Sequence, residues 1–354
     1  MINAKVAGLR TGLKILRASG LTAMLRPRLQ GIGSIFCLHQ VCPGGGHETG
    51  FAPNSKLEVT PQFLRGLIAL VRDRGYETVS LATLVDHLKN EIVPSRPLAV
   101  FTLDDAYRDN LIFAKPVFEE LACPYAIFVA SAIADGQYTM WWRVLEEVVA
   151  NTDHLRASIA NREFDLPCRS VKEKYKAYRA LFEFCAGLDQ FVQGGHVDAL
   201  ARAFNIDPKS YCKTAAMNWD ELRQIAKDPL CTVGTHTDNH YAVAKLDANQ
   251  SLNEMQQSKA RIEKELGRKV EFLAYPYGDR PAADKRDFAL AEKAGFRASL
   301  TTRKGVIFPS DRQHLQSLPR IMISGRYQEL GLVDALISGL PTALLNKFQP
   351  IHEA

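Results

Sequence analysis

The sequence predicts an α/β fold in which parallel strands form a sheet or barrel covered by helices. Three observations favour this fold. The chain has 354 residues, a length that a single α/β barrel fills. Beyond residue 33, apolar runs of strand length alternate with amphipathic stretches of helical spacing. Polar clusters rich in Asp and His follow several apolar runs, as expected where strands end at one face of a barrel.

Seven apolar runs are predicted to form the strands. They are Ser34–Leu38, Leu98–Leu103, Tyr125–Ala130, Thr232–Thr235, Glu271–Tyr275, Arg297–Thr301 and a strand near Leu318–Ile321. Continuous apolar character, as in Leu98–Leu103, is typical of a parallel strand that is covered on both faces.

Helices are predicted between the strands. The helix Pro61–Arg74 begins where Thr60 can cap it and Pro61 occupies the first turn. Gly267 is expected to end the helix Asn249–Leu266. The other predicted helices are Ser80–Lys89, Leu111–Leu121, Trp219–Lys227 and Ala282–Ala294, the last of which Gly295 closes.

One stretch interrupts this alternation. From about residue 141 to 216 the sequence shows no convincing strand and consists of charged segments with helical character. We therefore expect a helical insertion between the third and fourth strands, on a βα loop at the rim where barrel enzymes bind substrate. The predicted organisation is a basic helical segment 1–30, a barrel 31–325 that contains the insertion, and a C-terminal helix and tail 326–354 that packs on the barrel wall.

The chain is basic only at its start. Residues 1–30 contain six basic residues and no acidic one, whereas the formal net charge of the whole chain is +5. Val6, Leu9, Leu13 and Leu16 recur there at helical spacing, which suits a helix docked across one end of the domain or a helix lying on an anionic membrane. Nucleic acid binding is not expected, because the basic residues are not interleaved with aromatic ones.

The cysteines indicate a reducing compartment. All seven are scattered, and none forms a Cys-x-x-Cys pair, which argues against a disulfide framework and a structural zinc site. No segment has the roughly 18 uninterrupted apolar residues of a membrane-spanning helix, and the start lacks a signal-peptide pattern. We expect a cytoplasmic protein, with peripheral contact at the inner membrane face as a further expectation. The sequence does not indicate an oligomeric state.

Two adjacent carboxylates follow the second predicted strand. Asp104 and Asp105 come directly after Leu103, at the end that faces the mouth of a barrel. Adjacent carboxylates are costly to bury unless a positive charge lies beside them, and a metal ion would supply it. The alternative is that Asp104 caps the following helix and Asp105 is solvated.

Two histidines follow the fourth predicted strand. His236 and His240 are four residues apart, a spacing that places both on one face of a helical turn so that two ring nitrogens reach one cation. Buried histidines are common without a metal, but the carboxylates at another strand end favour a shared ion. One carboxylate and two imidazoles leave positions open for water and substrate, as in a catalytic site. Zinc suits this donor set best, and cobalt or nickel is acceptable.

In this order, the motifs resemble those of the polysaccharide deacetylase family with the NodB-homology domain, carbohydrate esterase family four. Thr102-Leu-Asp-Asp-Ala106 is similar to the family motif Thr-Phe-Asp-Asp-Gly, and His236-Thr-Asp-Asn-His240 is similar to His-Ser/Thr-x-x-His. The resemblance covers roughly residues 33–325 and implies a distorted seven-stranded (β/α) barrel. It also implies that Asp104 is the general base and that Asp105, His236 and His240 hold the metal.

A third segment keeps part of the family motif Arg-x-Pro-Tyr-Gly. In Ala274-Tyr-Pro-Tyr-Gly278 the turn is present, and the resemblance implies that the Tyr277 backbone N–H stabilises an oxyanion. Alanine stands where the motif arginine would orient Asp104. Arg320, at the end of the last predicted strand, is the candidate that supplies this charge, unless it is a surface residue. Ala106, in place of the motif glycine, is expected to be tolerated if the turn keeps a negative φ.

The general acid and the sugar contacts are less clearly marked. The family draws a histidine from a late Leu-x-His motif, of which this sequence has no good copy. His39, after the first strand, is the first candidate for the general acid, and His314 is the second. Trp141 and Trp142 open the insertion, where they either stack on a sugar ring or pack in the interior.

The residues predict a metal-dependent hydrolase, and the resemblance implies that it removes N-acetyl groups from amino sugars, on an intracellular or lipid-linked saccharide. Two alternatives remain open. One is a catalytically decayed carbohydrate-binding module, and the other is an O-acetyl esterase on the same scaffold.

Overall fold

The computed structural model describes residues 2–44 and 50–348, and its centre is a closed barrel of parallel strands. The seven barrel strands are β1 (Gly33–Leu38), β2 (Leu98–Leu103), β3 (Tyr125–Val129), β4 (Cys231–Thr235), β5 (Phe272–Ala274), β6 (Ala298–Lys304) and β7 (Leu318–Met322). Each pairs with the next along the chain, and β7 pairs with β1. The predicted seven-stranded (β/α) barrel is confirmed. Met1 and residues 349–354, parts of the predicted terminal segments, lie outside the described residues.

Three short strands lie outside the seven-stranded ring. Glu77–Thr78 pairs with the start of β2, on the outside of the ring. Gln40–Val41 pairs in parallel with Glu58–Val59 and forms a small sheet beside the end of β1. Strands β1 and β2 are buried at every residue, as expected for parallel strands covered by helices.

Helices surround the barrel and extend the chain at both ends. They are α1 (Ile2–Ala18), α2 (Leu21–Leu29), α3 (Pro61–Asp73), α4 (Leu81–Lys89), α5 (Lys115–Glu120), α6 (Ser131–Ala134), α7 (Trp141–Ala150), α8 (Val171–Gly187), α9 (Gln190–Ala203), α10 (Ser210–Ala215), α11 (Trp219–Ile225), α12 (Ala248–Leu266), α13 (Lys285–Lys293), α14 (Leu330–Ile337) and α15 (Leu340–Leu345). One π-helical turn, Asn110–Ala114, precedes α5. Short 3₁₀ segments lie at Ser55–Leu57, Val243–Lys245, Pro309–Ser317 and Gly325–Tyr327.

The helix ends follow the expected capping chemistry. The Thr60 hydroxyl accepts a hydrogen bond from the Phe63 N–H at 3.1 Å, at the start of α3. Gly267 ends α12 in the left-handed conformation, with φ of 63°. The predicted helix Ala282–Ala294 begins later than expected, because Asp284 caps α13.

The insertion contains strands as well as helices. An antiparallel hairpin, His154–Ile159 with Arg162–Pro167, lies between α7 and α8, so the prediction that residues 141–216 hold no strand is wrong. The two turn residues between the strands, Ala160 and Asn161, have φ of 47° and 63°, as a two-residue hairpin turn requires. Buried and exposed residues alternate along the first hairpin strand, but the sequence does not make this evident, because charged side chains occupy the exposed face. Ala-Asn is also a weak signal for a turn. Helices α7 to α9 and the hairpin share their own apolar core.

The N-terminal helix is docked on the C-terminal segment. Arg10 and Lys14 of α1 form ion pairs with Glu329, the latter at 2.8 Å. Arg26 of α2 donates to Asp334 at 2.6 Å. Of the two arrangements that the sequence allows for residues 1–30, the docked helix is therefore present. Among the helices described, none combines the length and the apolar character that crossing a bilayer requires.

Candidate active site

The barrel gathers the residues of all three motifs at one end. Asp104 and Asp105 follow the carboxyl end of β2, and His236 follows the carboxyl end of β4. Tyr277 lies in the turn after β5, and Arg320 lies within β7. Because all the strands are parallel, these side chains meet at the same mouth of the barrel.

Asp104 is held by a buried arginine from β7, which only β1 separates from β2. The two terminal nitrogens of Arg320 donate to the two Asp104 carboxylate oxygens, each at 2.8 Å. The Arg320 side chain has no exposed surface, and its Nε donates to the Thr301 carbonyl at 2.9 Å. Burial would raise the pKa of Asp104, but the charge of Arg320 holds it below its usual value. Asp104 is therefore a fixed, ionised hydrogen-bond acceptor, and Arg320 is not a surface residue.

Asp105 faces two imidazoles. Its Oδ1 atom lies 3.2 Å from His240 Nε2 and 3.6 Å from His236 Nε2. All three side chains are buried, so Asp105 is not solvated. Two ligands about 2.1 Å from a tetrahedral zinc ion are separated by about 3.4 Å, and the two observed distances lie on either side of this value.

The donor atoms of this cluster also fit a metal ion. Within the described residues, the buried atoms Asp105 Oδ1 and His240 Nδ1 have no aligned hydrogen-bond partner, although buried polar atoms are normally satisfied. His236 Nδ1 lies 2.6 Å from the Ala274 carbonyl, which directs Nε2 towards Asp105. Burial lowers the pKa of His236 to about 4, so its imidazole is neutral at pH 7, the form that binds a metal.

The histidines converge through a loop and not through a helical turn. Residues 236–240 have no helical structure, so the predicted helical spacing is the wrong explanation for their proximity. Thr237 and His240 have φ of 64° and 54°, and these left-handed residues turn the chain so that both rings face the same side. The ring centroids of His236 and His240 are 4.9 Å apart.

The turn after Asp104 is also left-handed. Asp105 has φ of 69° and Ala106 has φ of 50°, so the condition under which alanine was expected to be tolerated, a negative φ, is not met. A left-handed residue with a Cβ costs about 1 kcal/mol or more, which explains why glycine suits this motif position. The alanine is buried and remains in the strained conformation.

The Pro-Tyr-Gly turn follows β5 at the mouth of the barrel. Tyr277 and Gly278 both have φ of 62°, and the Thr302 hydroxyl donates to the Tyr277 carbonyl at 2.6 Å. Within the part of the chain that the structure describes, the Tyr277 N–H makes no hydrogen bond. The Tyr277 ring lies across His240, with centroids 5.1 Å apart, so this turn lies beside the two histidines.

The paired tryptophans are walls of the site and not open platforms. Trp141 and Trp142 are both buried. The Trp141 indole N–H donates to the Tyr277 hydroxyl at 3.2 Å. The Trp142 ring centroid lies 5.4 Å from that of His240. The packing interpretation of this pair is therefore the one that the structure supports, and it fixes the insertion against the barrel mouth.

The two candidate acids lie at opposite ends of the barrel. His39 directly follows β1 at the catalytic end, and one of its nitrogens lies within 4.8 Å of donor atoms of Cys37 and Asp104. His314 is exposed in the 3₁₀ segment that precedes β7, at the amino end of the strands. It is too remote to protonate a leaving group at the mouth, so the second candidate is wrong.

Two further residues reach the site without a sequence signal. The Cys37 thiol lies 3.4 Å from Asp104 Oδ2. Tyr138, in the loop before α7, places its ring centroid 5.9 Å from that of His240. All six residues of β1 are buried, so the sequence does not distinguish side chains that face the barrel interior from those that face the helices. The position of Cys37 beside Asp104 becomes visible only once β1 is paired with β2.

Comparison with known proteins agrees with this site. A model of the family described as polysaccharide deacetylase matches residues 176–299, which include both histidines and the Pro-Tyr-Gly turn. Over these residues the chain is similar to the polysaccharide deacetylase family. No curated protein gives a significant match to the sequence.

Solved structures of deacetylases share the fold. The Streptococcus pyogenes deacetylase PplD in complex with acetate has a TM-score of 0.57 and 16% identity, over 86% of this chain and 97% of that chain. IcaB from Ammonifex degensii has a TM-score of 0.54 and 19% identity, over 87% and 99%. The de-N-acetylase from Aggregatibacter actinomycetemcomitans has a TM-score of 0.53 and 15% identity, over 85% and 98%.

Proposed function

We propose that this chain is a divalent-metal-dependent hydrolase that removes acetyl groups from the nitrogen of amino sugars in a glycan. The observation that carries the proposal is the buried cluster of Asp105, His236 and His240, whose donor atoms lie within 4.8 Å of one another. Zinc fits two imidazoles and one carboxylate best, and cobalt or nickel fits as well. A bound cation would polarise the acetyl carbonyl and lower the pKa of water.

The chain's own residues supply the remaining steps of amide hydrolysis. Asp104, held by Arg320, accepts the proton of the water that attacks the acetyl carbonyl carbon. The Tyr277 N–H donates to the oxygen that becomes negative, a contribution worth on the order of 3 kcal/mol in other acyl-transfer enzymes. His39 protonates the amine as the carbon–nitrogen bond breaks, and acetate leaves.

The position of Arg320 favours an active enzyme over a catalytically decayed binding module. The motif arginine is absent at Ala274, but the guanidinium of Arg320 reaches both oxygens of Asp104 and so supplies the same charge from β7. The seven free cysteines, six of them buried, suit a reducing compartment. We therefore place the substrate among cytoplasmic saccharides or lipid-linked glycans at the inner membrane face.

Acetate release tests this function. The purified chain is incubated with an N-acetylglucosamine oligomer, with chelator, and after addition of zinc, cobalt or nickel. We expect release that chelation abolishes and added metal restores. Saccharide binding without release would indicate a decayed binding module, and release only from O-acetylated sugar would indicate an esterase. His314→Ala is the matched control, because this histidine lies at the other end of the barrel.

A further inference from the structure

The two ends of the chain pack together into one layer. We call residues 2–30 and 329–348 the terminal layer. Helix α1 packs on α14, and α2 packs on α15. Gly339 has φ of 75° and lies so close to the Leu29 carbonyl that a Cβ there would be 1.7 Å from its oxygen. The two segments are therefore fitted to each other and present a joint outer surface.

This surface is unusually apolar. Sixteen large hydrophobic side chains are exposed among the described residues, and seven of them lie in the terminal layer. They are Leu9, Ile15, Leu21, Met24, Leu344, Leu345 and Phe348. Single exposed apolar residues are normal, but a concentration in one small part of a protein marks an interaction surface.

The same layer carries the positive charge of the protein. Its residues include seven basic and two acidic side chains, a net charge of +5, which equals the formal net charge of the whole chain. The two acidic residues, Glu329 and Asp334, are already paired with arginines and Lys14. Arg28 and Lys347 are exposed, and neither forms an ion pair within the described ranges. Exposed apolar side chains combined with a net positive charge are typical of surfaces that bind anionic bilayers.

We propose that the terminal layer docks on a bilayer that contains anionic lipids, with Met24 and Leu345 entering the headgroup region. These two side chains are 66% and 60% exposed. A second copy of the chain is the less suitable occupant, because two layers of charge +5 would repel each other. An anionic membrane complements both the charge and the apolar area.

Docking leaves the catalytic mouth open. Helix α2 ends at Leu29, shortly before β1 begins at Gly33, so the junction of α2 with α15 lies at the amino end of the barrel. The catalytic residues follow the carboxyl ends of the strands. Membrane binding and hydrolysis of a soluble substrate therefore depend on separate parts of the molecule, and the proposal stands apart from the proposed function.

Vesicle co-sedimentation tests the docking. The full chain is mixed with phosphatidylcholine vesicles with and without phosphatidylglycerol. We expect binding only to the anionic vesicles, release by salt, and about tenfold weaker binding for Met24→Glu combined with Leu345→Glu. The matched control is Val93→Glu combined with Ile112→Glu, because these side chains are 81% and 52% exposed outside the layer. It should bind like the wild type.

A second variant separates docking from folding. Arg28→Ala combined with Lys347→Ala removes two exposed charges and should weaken binding to anionic vesicles, with an unchanged melting temperature. Equal binding of the wild type to neutral and anionic vesicles, or equal binding of the wild type and Met24→Glu with Leu345→Glu, would overturn the proposal. The proposal would also be overturned if the wild type were a dimer in solution and Met24→Glu with Leu345→Glu made it a monomer without any change in vesicle binding. Acetate release from a soluble oligomer should be unaltered in every variant, so its loss would bear on the proposed function alone.

Discussion

Asp104 and Asp105 are adjacent, buried and identical in type, yet their surroundings differ. Both oxygens of Asp104 accept hydrogen bonds from Arg320. Asp105 faces two imidazoles, and its Oδ1 has no aligned donor among the described residues. A carboxylate with its charge compensated is fixed as an acceptor, whereas an uncompensated one requires a cation. The comparison teaches that environment, and not residue type, divides the roles of two neighbouring carboxylates.

The same substitution at each carboxylate should have different effects. Asp104→Asn should lower kcat by about a thousandfold, because the proton acceptor is lost, and should leave the metal content unchanged. Asp105→Asn should instead weaken metal binding by at least about a hundredfold, since it removes a ligand. Acetate release and metal analysis after gel filtration measure the two effects. Equal metal content in both variants would contradict this division.

Removal of Arg320 tests whether this arginine compensates the charge of Asp104. Arg320→Ala leaves a buried carboxylate without its partner, which should lower the free energy of unfolding by about 3–5 kcal/mol. Arg320→Lys keeps the charge but loses the two-point contact, so it should recover part of the stability. Urea unfolding measures both values. If Arg320→Ala were as stable as the wild type, the pair would not hold Asp104 in place.

The pH dependence of stability tests whether His236, beside Asp105, is buried in its neutral form. The pKa of His236 is about 4 in the folded protein against 6.5 for an ordinary histidine. Between these values the unfolded chain binds more protons, so stability should fall as the pH falls from 6.5 to 4, by about 3 kcal/mol. Unfolding of the chelated protein at several pH values measures this loss. His236→Gln should flatten the dependence, and His314→Gln should not.

The smallest effect is expected at Ala106. Ala106→Gly relieves the left-handed strain at φ of 50° and should raise the free energy of unfolding by up to about 1 kcal/mol, without loss of metal. Ala106→Val should lower it, because a β-branched residue tolerates this conformation poorly. Thermal unfolding of the two variants provides the comparison. A destabilised glycine variant would show that the buried methyl group contributes more than the strain costs.

The sequence predicted the barrel and the site position because both depend on local patterns. Apolar runs such as Leu98–Leu103 identify buried parallel strands, and polar motifs after them must lie at one mouth. The proximity of His236 and His240 was predicted for the wrong reason, since left-handed residues and not a helix bring them together. Such backbone conformations in non-glycine residues leave no mark in the residue types.

Other features depend on contacts between distant residues. Arg320 was predicted as the partner of Asp104 from the missing motif arginine, but the contact of its two terminal nitrogens with both carboxylate oxygens depends on the closure of β7 against β1. The hairpin in the insertion was missed because its exposed face is charged and its turn, Ala160-Asn161, lacks glycine. The positions of Cys37 and Tyr138 depend on strand register and on how the insertion packs on the barrel.

The central claim is that Asp105, His236 and His240 share one cation. The most direct measurement is anomalous scattering from crystals of the protein soaked with zinc or cobalt, recorded at the absorption edge of the metal. The account predicts a single peak about 2.0–2.2 Å from a carboxylate oxygen of Asp105 and from one nitrogen of each histidine. A peak elsewhere, or an empty cluster at saturating metal, would contradict it.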